Sequence, residues 1–263
     1  MKVYISGDIE GITGTTHWNE TEKNLPDWEQ FAKQMTKEIV AAANGAISAG
    51  ADEVVIKDAH DSGRNIDMDE LPEKAKLIRG WTGDPLSMVG GIDESFDAAI
   101  FIGYHNAAGT ISNPLAHTMS ISEVSSVKLN GEYVSEFLLN TYAAALFDVP
   151  VVFVSGDVGL TQKVKEVNPE IVTLGVKDGL GGATINMNPK MAITETERLV
   201  KEALKSDLDL KKVKLPEEFK LEIEYKDHKC AYRYPGAEYK QPRSVIFNTK
   251  NYYEILRIIH FLT

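Results

Sequence analysis

Val3-Tyr4-Ile5-Ser6-Gly7-Asp8-Ile9-Glu10-Gly11 is the stretch on which the reading of the chain turns. Its first four residues form a short β-prone run, and the Gly7-Asp8 step ends it. In an extended segment residues two apart point the same way, so Asp8 and Glu10 direct two carboxylates to one spot. Two such charges repel unless a cation or a shared proton lies between them. If the run is a strand of an open α/β sheet, the pair sits at its carboxyl end, where such sheets bind ligands. Taken alone, two solvated acids at a strand-to-loop transition explain the pair equally well.

The flanking sequence supplies the sheet. Asp27 followed by Gln30 has the form of a helix N-cap with a capping box. Phe31, Met35, Ile39 and Ala43 then recur at helical spacing, and Gly50 is placed to stop the helix. Glu53 to Lys57 reads as the next strand, and strand, long helical crossover and strand make a parallel βαβ unit. Lys76 to Arg79 is a weaker strand, followed by a short helical stretch near Met88. Ala98 to Ile102 is a continuous apolar run of the kind a buried parallel strand needs. Over 118–134 two β-like runs flank Asn130-Gly131, a strong hairpin signal. Ser135 to Phe147 is predicted as a helix and Pro150 to Val154 as a buried strand. Beyond about residue 190 the texture changes to a charged helix (Thr194 to Lys205) and a Lys/Glu-rich linker. Strands at Leu221 to Glu224 and Ser244 to Phe247 follow, then a final helix capped by Asn251 with Glu254. The expectation is a layered α/β/α fold with a largely parallel or mixed central sheet. Residues 1–190 would be the metal-binding catalytic domain and 191–263 a smaller α+β part.

With 263 residues, 43% hydrophobic and 25% charged, the chain can bury a sizeable core. A net charge of -11 argues against a nucleic-acid or anionic-membrane partner, either of which rewards clustered Lys and Arg. Cys230 stands alone, which excludes an internal disulfide and suits a reducing compartment. No segment approaches the roughly 20 apolar residues of a membrane span. Met1-Lys2 leads directly into the first strand without a signal-peptide core, so a cytoplasmic protein is expected.

Two further strand ends carry imidazoles: Lys57-Asp58-Ala59-His60 and Gly103-Tyr104-His105-Asn106. A lone histidine after a strand is more often a hydrogen-bonded structural residue than a ligand. Parallel strands, however, place their carboxyl ends on one edge, so Asp8, Glu10, His60 and His105 can converge there. Carboxylate plus imidazole, without thiolate, is a zinc or manganese ligand set. His117, in Leu115-Ala116-His117-Thr118, could be a further ligand or a general acid/base. Glu136 lies in the first turn of a helix, where the macrodipole alone explains an acid. Gly179-Leu180-Gly181-Gly182 lacks the spacing of a phosphate-binding motif and reads as a turn. His228 and Cys230 read as structural, His260 as a surface or capping residue, and His17 beside Trp18 as a loop residue.

Together, Ser6-Gly7-Asp8-Ile9-Glu10-Gly11, Asp58-Ala59-His60, Gly103-Tyr104-His105, Ala116-His117-Thr118-Met119 and Val134-Ser135-Glu136 with Leu139-Asn140 resemble the zinc D-aminopeptidases of the dipeptide-operon (DppA) type. The resemblance runs over most of the chain and is weakest in its last 70 or so residues. It implies two zinc ions per subunit held by Asp8, Glu10, His60, His105 and Glu136, with His117 as a catalytic residue that is not a ligand. It also implies a ring-like homodecamer. Two departures bear on substrate preference: Ala116 stands where the family commonly has serine, and Ser135 where glycine is frequent.

On this reading the chain hydrolyses N-terminal, D-configured aminoacyl peptides or amides. Asp8 bridges the two ions, and a water between them loses a proton near neutral pH to become the nucleophile. Asp58 would orient His60 or another ligand from behind. Two other classes stay open. One is a magnesium phosphohydrolase with Asp8 as nucleophile, which needs a later lysine and acidic pair, with Asp157 the only candidate found. The other is a peptide-binding protein that cleaves nothing.

Overall fold

The computed structural model describes residues 1–233 and 237–263. The opening strand, β1 (Lys2–Gly7), lies between two parallel neighbours, which is why Val3 to Gly7 are all buried. Helix α1 (Trp28–Ala49) crosses over to β2 (Glu53–Asp58), and β3 (Ala75–Ile78) extends the sheet on that side. The chain then returns to the other side of β1 with β4 (Ala98–Tyr104), every residue of which is buried. The hairpin β5 (Val124–Leu129) and β6 (Glu132–Tyr133) leads into α2 (Glu136–Ala145). β7 (Val151–Asp157), α3 (Val158–Val167), β8 (Val172–Leu180), β9 (Ala183–Asn186) and α4 (Pro189–Lys205) complete the first layer system. β10 (Phe219–Tyr225), α5 (His228–Ala231), β11 (Glu238–Gln241), β12 (Ser244–Thr249) and α6 (Tyr252–Leu262) follow.

The central sheet has the order β3-β2-β1-β4-β7-β8-β9, parallel throughout except for β9. Helices α1 and α4 cover one face: Met35, Ile39, Ala42 and Val200 pack on Val3 and Ile5. On the other face Tyr4, Phe101 and Phe137 join a core with α2, α6 and a five-stranded antiparallel sheet, β11-β12-β10-β5-β6. Each large side chain removed from water in these layers contributes about 1.5–3 kcal/mol. The smaller sheet draws two strands from before residue 190 and three from beyond it, because β5 buries its apolar face by pairing with β10. No helix among the described residues is long and apolar enough to cross a membrane.

Local signals were partly realised. Gly50 closes α1 at φ +107, and Asn130 and Gly131, both at positive φ, form the hairpin turn. Asp27 precedes α1 but makes no side-chain cap, because its backbone is already helical (φ −95, ψ −10). The charged helix starts at Pro189 rather than Thr194: Asn188 caps it, and proline supplies a first turn that needs no N–H. Gly179 to Gly182 lies at the β8–β9 hairpin, with Gly181 at φ +61.

The order of the strands places a switch point between β1 and β4, and the two strand ends touch there. Asp8 N–H donates to the carbonyl of Ile102 (2.8 Å) and Gly11 N–H to that of Gly103 (2.8 Å). A Cβ on Gly103, at φ +70, would stand 2.3 Å from the Asp8 carbonyl oxygen. Gly103→Ala is therefore expected to cost roughly 3 kcal/mol or more, from left-handed strain plus a backbone collision. Urea unfolding of the variant beside the wild type measures it.

Candidate metal centre

Every candidate from the sequence reaches this crevice. Asp8 and Glu10 leave β1, His60 follows β2 by two residues, and His105 follows β4 by one. Glu136 is the first residue of α2, and His117 comes from the loop between β4 and β5. The first four and Glu136 are buried, while His117 is partly exposed.

Each imidazole has one nitrogen committed to a backbone carbonyl, which can only accept. His60 Nε2 lies 2.8 Å from the Thr21 oxygen, His105 Nδ1 2.9 Å from that of Asn106, and His117 Nδ1 3.0 Å from that of Leu115. Those nitrogens donate, so in the neutral rings the other nitrogen carries the lone pair. His60 Nδ1 lies 3.3 Å from Asp8 Oδ1 and 3.0 Å from Glu10 Oε2. His105 Nε2 lies 3.5 Å from Asp8 Oδ2 and 3.2 Å from Glu136 Oε2, and His117 Nε2 lies 3.7 Å from Glu136 Oε1. Acceptors thus face acceptors. Asp8 Oδ2, Glu10 Oε2 and His105 Nε2 are buried without a partner in hydrogen-bond geometry, the short approach of His60 to Glu10 notwithstanding. Two groups of three, Asp8/Glu10/His60 and His105/His117/Glu136, each have donor atoms within 4.8 Å of one another, a spacing that could hold a metal ion.

Protons alone make an uncomfortable settlement of this crowding. Burial, and then the charge of Glu10, pushes the Asp8 carboxyl up to about 8. Burial would raise Glu10 too, but the charge on His60 outweighs it and holds Glu10 well below its ordinary range. Burial would likewise lower His105, and the Glu136 carboxylate instead carries it up to about 10. For His117 burial and the neighbouring His105 act together and depress it.

A further set of hydrogen bonds fixes the loops that carry these side chains. Asp58 does not touch the His60 ring; it accepts from Asn65 N (2.5 Å) and Ile66 N (2.8 Å) and so folds the loop that carries the ring. Asp157 Oδ2 accepts from Asn106 N (2.8 Å), and Asn113 Nδ2 bridges Asp157 (3.1 Å) to the Glu10 carbonyl (3.1 Å). Buried Lys177 donates to the carbonyls of Glu10 and Thr15. Asn113, Lys177 and Thr21 carry no local motif, and nothing in a single sequence ties residue 177 to residue 10.

Above the acids opens a cleft of about 670 Å³ whose walls include Trp18, Glu22, Asp61, Trp81, Met88 and Met119. His260 stands on its outer wall, whereas His228 is exposed, Cys230 is buried, and neither joins the site. His17 caps the short turn that presents Trp18.

The architecture and the buried carboxylate–imidazole cluster define an α/β protein built around a metal-type donor set. The sequence profile of peptidase family M55, the D-aminopeptidases, matches residues 1–261. A D-aminopeptidase of Bacillus subtilis (strain 168) is 30% identical over 268 residues, spanning 100% of this chain and 97% of that protein. The solved structure of the Zn-dependent D-aminopeptidase DppA from Bacillus subtilis, a self-compartmentalizing protease, superposes with a TM-score of 0.91 at 30% identity, over 98% of this chain and 95% of that one. The chain belongs to the D-aminopeptidase family of peptidases. It is an aminopeptidase.

Glu38 of α1 holds the loop after β1 from beneath, its Oε1 accepting from Thr13 N (3.1 Å) and Gln34 Nε2 (2.9 Å). Burial pushes this carboxyl up to about 7 from 4.5. A raised acid binds its proton more tightly in the folded state, so its contribution is complete below about pH 4.5 and is lost as pH rises through 7. Between pH 5 and 8 the wild type is expected to lose roughly 3 kcal/mol through this group. Glu38→Gln should flatten that limb of the stability curve, measured by urea unfolding across the range.

Proposed function

We propose that the chain is a two-zinc aminopeptidase that removes N-terminal D-residues from short peptides or aminoacyl amides. One observation carries the reading: the two oxygens of Asp8 face two separate imidazole–carboxylate groups in a buried site. The orphaned acceptors are those a pair of cations would satisfy, and oxygen with imidazole nitrogen is a zinc donor set. Asp8, Glu10 and His60 would hold one ion, and Asp8, His105 and Glu136 the other, with Asp8 common to both. Zinc supplies Lewis acidity toward the scissile carbonyl and makes water acidic near neutral pH. The zinc dependence of the Bacillus subtilis relative supports the choice of metal.

The protein's own groups supply the rest. His117 keeps Nδ1–H on the Leu115 carbonyl, so Nε2 is the atom that takes up and returns a proton. Its depressed affinity for protons keeps it neutral and ready to accept one. Its ring is stacked on His105 (centroids 4.3 Å apart) and meets the Trp18 ring edge-on at 5.4 Å, so it swings little. It would deliver the proton to the leaving amine. The buried walls around Asp8 exclude water from the unused faces of the site.

The reading assigns catalysis to residues 1–190, within which all six residues fall, and a cytoplasmic location. It includes a closed, ring-like homo-oligomer, a homodecamer, supported by the self-compartmentalizing character of the relative. A magnesium phosphohydrolase finds no support in the geometry, since the Lys177 ammonium is spent on the Glu10 and Thr15 carbonyls rather than turned to Asp8.

His117→Ala is expected to lower kcat by about 10²–10⁴-fold while the zinc content, measured by atomic emission, stays at two per chain. Loss of one zinc would make His117 a ligand, which its distance to Glu136 permits. Matched D- and L-aminoacyl amides test the stereochemistry. The D-series should be turned over at least ~10²-fold faster, and equal rates refute the D-preference.

A further inference from the structure

This inference rests on the proposed reading, because it takes the cleft above Asp8 as the substrate site. Trp81 leaves 45% of its surface exposed, yet it is fixed on two sides. Its Nε1 donates to the Asp61 carbonyl (2.6 Å), and the Lys57 ammonium lies 4.2 Å from its ring centroid. Lys57 is itself wholly buried and donates to the carbonyls of Asp58 (2.6 Å) and Gly80 (2.8 Å). A cation against a ring face in a desolvated place is among the stronger contacts of its kind. An exposed aromatic side chain ordinarily keeps its rotamer freedom. One held at edge and face is a preformed wall, and little ordering entropy is lost when a ligand settles on it.

The wall hangs on the loop that carries His60, since Asp61 is the next residue. Asp61 has φ +41, Ser87 φ +50 and Met119 φ +63, and all three line the same cleft. Left-handed backbone at non-glycine residues is costly and gathers where a binding surface demands it. The cleft therefore has two flanks. One is built on the His60 loop, with Asp61 and Trp81. The other is built on His117, with Trp18 edge-on to the imidazole and Met119 two residues further on. A group that protonates the leaving amine has to stand beside it, so the leaving part of the substrate lies on the His117 flank. The N-terminal residue is then left to the His60 flank.

We propose that Trp81 is a specificity-determining residue that forms the wall for the side chain of the substrate's N-terminal residue, with Lys57 as its positioning residue, so that the enzyme favours bulky apolar N-terminal residues. Trp18 faces the leaving residue.

Steady-state kinetics on aminoacyl amides test this, using the configuration the wild type turns over, one common leaving group, and alanine, leucine or phenylalanine at the N-terminus. Trp81→Ala is expected to lower kcat/KM on the phenylalanine and leucine amides about ten-fold relative to the alanine amide, through KM, with zinc content unchanged. Trp81→Phe should restore most of the selectivity. Lys57→Met should reproduce the KM rise on the large amides, and Lys57→Arg, which keeps a cation under the ring, should reverse it. Loss by the same factor on all three amides in Trp81→Ala overturns the proposal, as does no loss, or N-terminal selectivity that follows Trp18→Ala instead. Failure of the underlying reading looks different, for then the zinc-loaded wild type hydrolyses none of the amides.

Discussion

Lone pairs pointed at lone pairs, out of reach of water, are the constraint on which the rest of this molecule depends. Three imidazoles spend their N–H groups on backbone carbonyls and turn their bare nitrogens toward three carboxylates. Such an assembly is repulsive in itself, since every charged form is penalised by burial and backbone donors reach only one oxygen of Asp8, from Ile9 N–H, and one of Glu136, from Met119 N–H. It persists because the surrounding fold is stiff enough to hold it. The free energy stored in that opposition is what a divalent cation would recover on binding, which is why the donor set and the scaffold have to be understood together.

The stiffness has identifiable sources. The sheet turns its connection direction between β1 and β4, and strand ends that diverge elsewhere are pinned there by Asp8 and Gly11 donating across to β4. Glycine is needed at 11 and 103 because two backbones meet at distances no Cβ would permit. Behind the buried acids and imidazoles, Asp58 and Asp157 act on loops rather than rings, accepting from the amides that follow β2 and β4. Placement of the clustered oxygen and nitrogen atoms is thus a property of backbone hydrogen bonds, and the side chains inherit it.

Much of this is legible in the sequence alone. Asp8, Glu10, His60 and His105 share a feature a reader of sequence can use: each follows a β-prone run, and parallel runs end on one edge. His117 and Glu136 lack it. A loop histidine and a helix-start acid have ordinary explanations, and only their resemblance to a family pattern set them apart. Local rules failed where the backbone chose otherwise, as at Asp27, already helical and so unable to cap, and at Asn188-Pro189, which began a helix earlier than its charge pattern suggests. The β5–β6 hairpin and the β10 strand are each visible in the sequence, but their pairing is not, since a contact across some ninety residues leaves no local trace. Trp81, Lys57 and Lys177 were silent for the same reason.

The brace from Lys177 has a consequence for how the molecule comes into being. Its ammonium ties β8 to the loop that follows β1, so the first acids in the chain are clamped by one of its later strands. Contacts of such long sequence separation form late, after the loop-closure entropy has been met by the rest of the sheet. Until then Asp8 and Glu10 are ordinary hydrated carboxylates with little hold on a transition metal. Competence is therefore a late event in folding, and an unfinished chain has no working site to misuse.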